Sequence, residues 1–259
     1  MSGDTPRQAE LRLHAEQSWE SPFEGPRLEP RLLELLERLL PPHGLVVDLG
    51  CGTGHLLVEI HDHLGAGRAR YLGIDASAAM VEAAIATHRE AAPTIEWEVD
   101  DAHGLALADA TVDVLVSRWS EFSAAEVARV LRPGGYFVEW GLGPRDSEDV
   151  ALAFGERFAC EYAPHEAASW YAARDEALLA HGLVTRSLEL VQGDDYLDRQ
   201  QLEETIEMVP LVEPFDRERD AAILDAMRHG PRPGSTEPRF RVHREHFLRV
   251  AQRREGGEP

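Results

Sequence analysis

An α/β fold with a doubly wound, mostly parallel sheet is predicted by three features of this 259-residue chain. Short, β-branched apolar runs alternate with stretches of helical periodicity between residues 45 and 141. The first of them, Leu45 to Val47, lacks polar alternation, as a strand covered on both faces does. A glycine-rich turn closes the first of them, which is the usual place for a ligand in such a sheet.

The first run, Leu45, Val46 and Val47, ends at Asp48 and the turn "GCGTG". Leu56, Leu57, Ile60 and Leu64 then recur at helical spacing until Gly65 and Gly67 end the pattern. Gly50, Gly52 and Gly54 therefore form a strand-to-helix turn. Glycine tolerates positive φ there, lets a ligand approach the backbone and leaves helix N-terminal N–H groups exposed. A pyrophosphate site would space its glycines G-x-G-x-x-G. Here the spacing is G-x-G-x-G, and Asp48 would repel a pyrophosphate while suiting an ammonium and sulfonium ligand. A tight turn without a ligand is the plain alternative.

The remaining elements follow in order. Tyr71 to Ile74 form a second strand ending at Asp75, with a helix marked by Met80, Val81 and Ile85 behind it. An acid about twenty residues beyond the loop is placed to accept hydrogen bonds from ribose hydroxyls. The third strand, "TIEWEV", runs into Asp100 and Asp101, and the fourth, "VDVLVS", spans Val112 to Ser117. A helix from Ala124 to Leu131 leads to "LRPGGYFVEW", where Pro133 stops the helix and the two glycines reverse the chain.

The stretch "VVDLGCGTGHL" strongly resembles the first motif of class I S-adenosylmethionine-dependent methyltransferases. Asp75, the Asp100-Asp101 pair and Leu131-Arg132-Pro133-Gly134-Gly135 follow in that family's order, so the resemblance covers residues 45 to about 141. It implies a doubly wound, mostly parallel seven-stranded methyltransferase (Rossmann-like) sheet with an antiparallel last strand. "RFRVHREHFLRVAQRR" looks like that last strand and "VTRSLELV", residues 184 to 191, like its antiparallel partner. The implied cofactor is S-adenosyl-L-methionine, held by Asp48, Gly50, Cys51, Gly52, Gly54, Asp75, Ala76 and Ser117. Asp101 is implied at the adenine amino group and the Ala102 N–H on the ring. Between Ser117 and Ala124 only "RWSEF" remains, so the helix that usually follows the fourth strand is missing or reduced. That departure places Arg118, Trp119, Glu121 and Phe122 near the transferable methyl.

The organisation implied is a helical N-terminal cap (1–43), a methyltransferase core (44–192), a helical lid (193–236) and a last strand with its tail (237–259). Leu202, Ile206 and Met208 mark one lid helix, and Ala222, Ile223, Leu224 and Met227 another. In "PRLEPRLLELLERLLPP", a stripe of Leu32, Leu33, Leu35, Leu36, Leu39 and Leu40 predicts a helix that packs on the sheet. Trp19 and Phe23 upstream either form a flap or dock onto the core.

The function implied is methyl transfer to a small-molecule acceptor. A sulfonium already activates its methyl group, so no nucleophilic residue is needed; alignment and exclusion of water are. A base matters only if the acceptor loses a proton, and Glu121 and His103 are the catalytic candidates, with Glu139 and His14 behind them. Arg118, Trp119, Phe122 and Trp140 are the substrate-side candidates. An NAD-dependent oxidoreductase and a non-catalytic cofactor-binding regulator are the alternatives, the first disfavoured by glycine spacing and Asp101.

Composition narrows the classes further. A net charge of -21 argues against a nucleic-acid partner, because phosphates would be repelled at long range. All 26 basic residues are arginine, and Arg239, Arg241, Arg244, Arg249, Arg253 and Arg254 cluster near the end, a run read as a solvated strand face. Two cysteines, Cys51 and Cys160, fit a reducing compartment, and with neither a membrane-length apolar run nor a leader-like N-terminus the expectation is a cytoplasmic protein. His61 and His63 stand two apart on a helix and point away from each other, so they are read as surface residues and no metal site is expected.

Overall fold

The computed structural model describes residues 7, 8, 10–12, 14, 23–160, 166–227 and 229–255. In chain order its strands and helices begin with β1 (Phe23–Glu24), α1 (Glu29–Leu39), β2 (Gly44–Leu49), α2 (His55–Leu64) and β3 (Ala69–Asp75). They continue with α3 (Ala78–His88), β4 (Ile95–Val99), β5 (Val112–Arg118), α4 (Ala124–Val130) and β6 (Leu131–Leu142). Last come α5 (Glu148–Phe154), α6 (Ala167–Leu179), β7 (Leu183–Leu197), α7 (Arg199–Met208), α8 (Ala221–Asp225), β8 (His229–Pro231) and β9 (Pro238–Arg253).

These elements gather into two compact units, and β7 and β9 each contribute a part to both. The larger unit comprises Arg27–Gly141, Tyr171–Leu190 and Phe247–Pro259. Its strand order is β7-β9-β6-β5-β2-β3-β4. β6, β5, β2, β3 and β4 are mutually parallel. β9 runs against β6, since Arg253 reaches the Leu131 carbonyl while Arg249 reaches Glu139. Arg186 to Gln252 and the Arg254 N–H to the Gly182 carbonyl set β7 against β9 in turn. The mostly parallel seven-stranded sheet with an antiparallel β9 is thus as the sequence predicts.

The apolar runs explain the parallel core. Val46, Val47, Ile74, Val114, Leu115, Val116, Phe137 and Val138 are fully buried, and each such side chain contributes about 1.5–3 kcal/mol by leaving water. From α1, Leu32, Leu35 and Leu36 are buried within the same unit, as the leucine stripe predicts. Pro41 and Leu40 close this helix, and their carbonyls accept both ends of the Arg68 guanidinium.

Several expectations are corrected. His61 is buried rather than exposed: its Nε2 meets Thr94 Oγ1 at 2.9 Å and its ring packs edge-on to Tyr71. The arginine run of β9 is not a solvated face. Arg249 is completely buried, bonded to Glu139 and close to Asp175, and Arg253 bonds the carbonyls of Arg129 and Leu131. Periodicity reported the side of the strand but not the acids opposite it. Helix α6 was unforeseen because its alanine-rich "AASWYAARDEALL" buries only Tyr171 and Leu178, which makes no stripe.

The smaller unit comprises Met1–Pro26, Leu142–Trp170 and Val191–His246. Its core joins Val150 and Phe154 of α5, Leu202 and Ile206 of α7, Leu224 of α8, and Phe240 and Val242 of β9. A capping box opens α7: the Asp198 side chain accepts from the Gln201 N–H while Gln201 reaches back to the Asp198 N–H. The strand β7 continues to Leu197, beyond the point where the sequence pattern places its end. Phe23 sits in β1 opposite Asp195 and stacks on His246 at 5.5 Å, so it is docked within this unit. Trp19 lies outside the described residues. Among those residues, no helix is long and apolar enough to cross a membrane.

Candidate functional site

Strand register in the larger unit decides which side chains share a face. Asp48 is paired with Gly73 on one side and Val116 on the other, Gly73 with Trp97, Asp75 with Val99, and Arg118 with Trp140. Because side chains alternate with period two, Asp48, Asp75, Trp97, Arg118 and Trp140 all project from one face. Asp48, Asp75, Arg118 and Trp140 stand at the carboxyl ends of four parallel strands, β2, β3, β5 and β6. Leu49, Ile74, Ser117 and Glu139 project from the other face.

Asp48 is the electrostatic anomaly of this edge. It is 1% exposed, and neither carboxylate oxygen has a hydrogen-bond partner among the described residues. Burial pushes its pKa up to about 7; nearby Arg118 opposes the rise and Asp75 adds to it. A buried acid with no protein donor suits a cationic ligand group, because leaving such a group unpaired costs several kcal/mol.

The loop after β2 is held from two sides. Gly50, Gly52 and Gly54 all have positive φ, at 75°, 55° and 85°. A Cβ on Gly50 would stand 2.3 Å from Ser120 Cβ, and one on Gly54 would stand 2.3 Å from the Trp97 ring. Among the described residues, a Cβ on Gly52 would meet nothing within 4 Å. The outer glycines are therefore required by the protein's own packing, whereas Gly52 opens onto clear space where a ligand can lie against the backbone. Cys51 between them is buried, and that burial, followed by the nearby Asp48 and Asp75, raises its thiol pKa, which keeps it protonated and inert.

Asp75 closes the neighbouring position. Its Oδ2 accepts from the Gly52 N–H at 2.9 Å and its Oδ1 from the Ser77 N–H at 2.8 Å. Each oxygen keeps a second lone pair. At the end of β4, Asp100 accepts from the N–H groups of Asp101 and Ala106, and Asp101 accepts from the His103 N–H and ring, at 2.9 and 3.2 Å. These bonds, the His103 backbone bond foremost, hold the Asp101 carboxyl below the usual range. Asp101 and His103 are both exposed, and Ala102 packs partly against the core.

The segment after β5 contains no helix before α4, in line with its short sequence. Ser117 is buried and shares a 2.8 Å hydrogen bond with Ser120, whose hydroxyl donates to the Leu49 carbonyl. Trp119 has a left-handed φ of 55°, is 50% exposed, and lies edge-on to Trp140 at 5.8 Å. The Arg118 guanidinium stands over both indoles, 5.2 Å from Trp119 and 5.7 Å from Trp140. Phe122 turns inward onto Phe137 and joins the core, and Glu121 is exposed. Glu139, a possible base from sequence, is buried on the opposite face and bonded to Arg174 and Arg249, so it is a structural acid. His14 belongs to the smaller unit, 4.0 Å from Glu204.

Ser120 and Trp97 are the supports that sequence reasoning missed. Trp97 also stacks on His88, whose ring bonds the Thr53 carbonyl, so it braces the loop from behind. Its alternation with Val99 was visible in "IEWEV", but only the register with Gly73 tells that it lies under the loop.

A parallel sheet with this order, an unpartnered acid before a glycine turn and a second acid on the next strand make up the arrangement that the resemblance to class I S-adenosylmethionine-dependent methyltransferases implies. Residues 46–135 match the family model described as a methyltransferase domain. The malonyl-(acyl-carrier protein) O-methyltransferase of Methylococcus capsulatus is 37% identical over 133 residues, which are 48% of this chain and 46% of that protein. The chain spans less than half the length of the curated relatives it matches. The fold also matches the YcgJ protein of Bacillus subtilis with a TM-score of 0.57, at 18% identity over 88% of this chain and 98% of that one. Geranyl diphosphate C-methyltransferase of Streptomyces coelicolor, solved with geranyl diphosphate and S-adenosyl-L-homocysteine, matches with a TM-score of 0.52, at 19% identity over 97% of this chain and all of that one. The oxidoreductase alternative finds no support among these relatives.

Proposed function

We propose that the protein transfers a methyl group from S-adenosylmethionine to a small-molecule acceptor. The observation that carries this reading is the buried, unpartnered Asp48 carboxylate beside the open backbone of Gly52. When bound, S-adenosylmethionine supplies a methyl group already activated by its sulfonium. Asp48 holds the ammonium of the amino-acid part, Asp75 takes the ribose hydroxyls on its remaining lone pairs, and Asp101 with the Ala102 N–H meets the adenine. Gly50, Cys51, Gly52, Gly54, Ala76 and Ser117 shape the cleft around these contacts. Arg118, Trp119 and Trp140 border the acceptor, and Phe122 supports that border from the core. Their task is to align the acceptor in line with the methyl and to exclude water. For an acceptor that must lose a proton, Glu121 and the Asp101-linked imidazole of His103 are the groups that accept it.

Two measurements test this. Calorimetry on the full chain should show one S-adenosylmethionine bound per chain, with affinity lost in Asp48→Ala. A panel of small hydroxylated, aminated and carboxylated compounds, with mass spectrometry of products, should show a gain of one methyl. Absence of cofactor binding in the wild type overturns the proposal.

A further inference from the structure

The guanidinium of Arg118 is half-buried and, among the described residues, makes no hydrogen bond or ion pair; its contacts are the two indole faces and the long-range field of Asp48. Five N–H donors are thereby preorganised by stacking and left without acceptors. Arginine in this state matches a carboxylate, whose two oxygens fit the planar fork.

Its position says where that carboxylate would come from. Asp101, Asp75 and Asp48 lie at the ends of successive strands β4, β3 and β2, and β5 and β6 follow in the same sheet. Strands are spaced about 4.8 Å apart. Arg118 stands two residues beyond Val116, the register partner of Asp48, so it lies one strand over and roughly 6.6 Å further toward the edge. A ligand running along the three acids reaches Arg118 next. Beside it, Trp119 holds a large exposed indole on a left-handed backbone conformation that a bulky residue adopts only under strain. A strained, exposed aromatic over a guanidinium offers one flat apolar surface and one anion-binding fork.

We propose that Arg118 is the carboxylate-recognition residue of this site and that the acceptor is an acid whose apolar or planar body rests on Trp119. This rests on the methyltransferase reading. The acidity has a simple rationale: the protein carries a net charge of -21, and the edge itself presents Asp48, Asp75 and Asp101, so an acid enters only where a cation is held for it. The shared chemistry is a carboxylate, and its two possible sources are the acceptor and the amino-acid part of the cofactor.

The test compares wild type, Arg118→Gln and Arg118→Lys, each shown to be folded by its melting curve. Calorimetry with S-adenosylhomocysteine and with 5′-methylthioadenosine, which lacks the amino-acid part, reads the cofactor source. Tryptophan fluorescence with benzoate and benzamide, added to protein saturated with S-adenosylhomocysteine, reads the acceptor source. The expected result is that S-adenosylhomocysteine binds all three proteins alike, that benzoate but not benzamide quenches the wild type, and that Arg118→Gln weakens benzoate by about ten- to a hundredfold. Trp119→Phe should abolish most of the quenching, and Arg118→Lys should restore part of the affinity. If Arg118→Gln instead weakens S-adenosylhomocysteine and spares 5′-methylthioadenosine, the carboxylate is the cofactor's and the acidic acceptor is overturned. If neither ligand responds to the substitution, the assignment of Arg118 falls. Failure of the wild type to bind S-adenosylhomocysteine would instead defeat the underlying methyltransferase reading.

Discussion

The Gly52 N–H donates a 2.9 Å hydrogen bond to the carboxylate of Asp75, 23 residues further along the chain. One side chain thus orders the loop of β2 from the end of β3, and the same carboxylate is the proposed ribose anchor. Asp75→Ala removes both roles. Cofactor affinity should fall by ~1.5 to 3 kcal/mol, and stability by ~1 to 3 kcal/mol from the two backbone N–H groups left unpaired. Calorimetry and urea unfolding read these separately; an unchanged dissociation constant would remove Asp75 from the site.

The glycines of the loop should fail in different ways. Gly52→Val places its side chain in open space, so the cost to the fold is the positive φ alone, on the order of 1–2 kcal/mol, while the cofactor's space is taken. Gly54→Ala drives a methyl into Trp97 and should lower the melting temperature more than Gly52→Val does. Circular dichroism should therefore report a folded Gly52→Val protein that no longer binds S-adenosylmethionine.

Asp48 links folding to pH. Its native pKa is raised to about 7, so between roughly pH 4 and 7 the folded chain keeps a proton that the unfolded chain has released. The native state binds more protons in that window, and ligand-free stability is lost as pH rises through it. Asp48→Asn cannot titrate and should gain on the wild type across the same window, levelling above pH 7 at up to about 4 kcal/mol. Parallel unfolding curves at pH 4, 6 and 8 check the sign. A constant difference would mean that Asp48 ionises normally in the fold.

Glu139 supplies the opposite case, a buried acid whose charge is matched. Removing it leaves Arg249 buried without its 2.7 Å partner, and Glu139→Ala should destabilise the protein by ~3 to 5 kcal/mol. The milder Glu139→Gln should retain cofactor affinity and transfer on any acceptor found by the panel. Loss of turnover in a folded Glu139→Gln protein would return this residue to the list of bases.

Much of this was legible in the chain itself. The strands β2, β3, β5 and β6 announce themselves as apolar runs because both faces are covered, and the acids and glycines at their ends are readable because a strand-to-helix turn needs those residue types at those places. Asp48, Gly52 and Asp75 belong to that class. Tertiary structure alone decided which acids are matched and which are not. Asp48 and Glu139 are both buried carboxylates near strand ends, yet register sends one to a face where no donor among the described residues reaches it and the other to Arg174 and Arg249. The same holds for the arginines: Arg249 and Arg118 look alike in sequence, but Arg249 meets Glu139 across an antiparallel pair while Arg118, among the described residues, stacks on two indoles and makes no ion pair. Periodicity along one strand fixes the side on which a residue projects. What stands opposite depends on the register of a neighbour that is far away in sequence, and the electrostatics of the site follow from that neighbour.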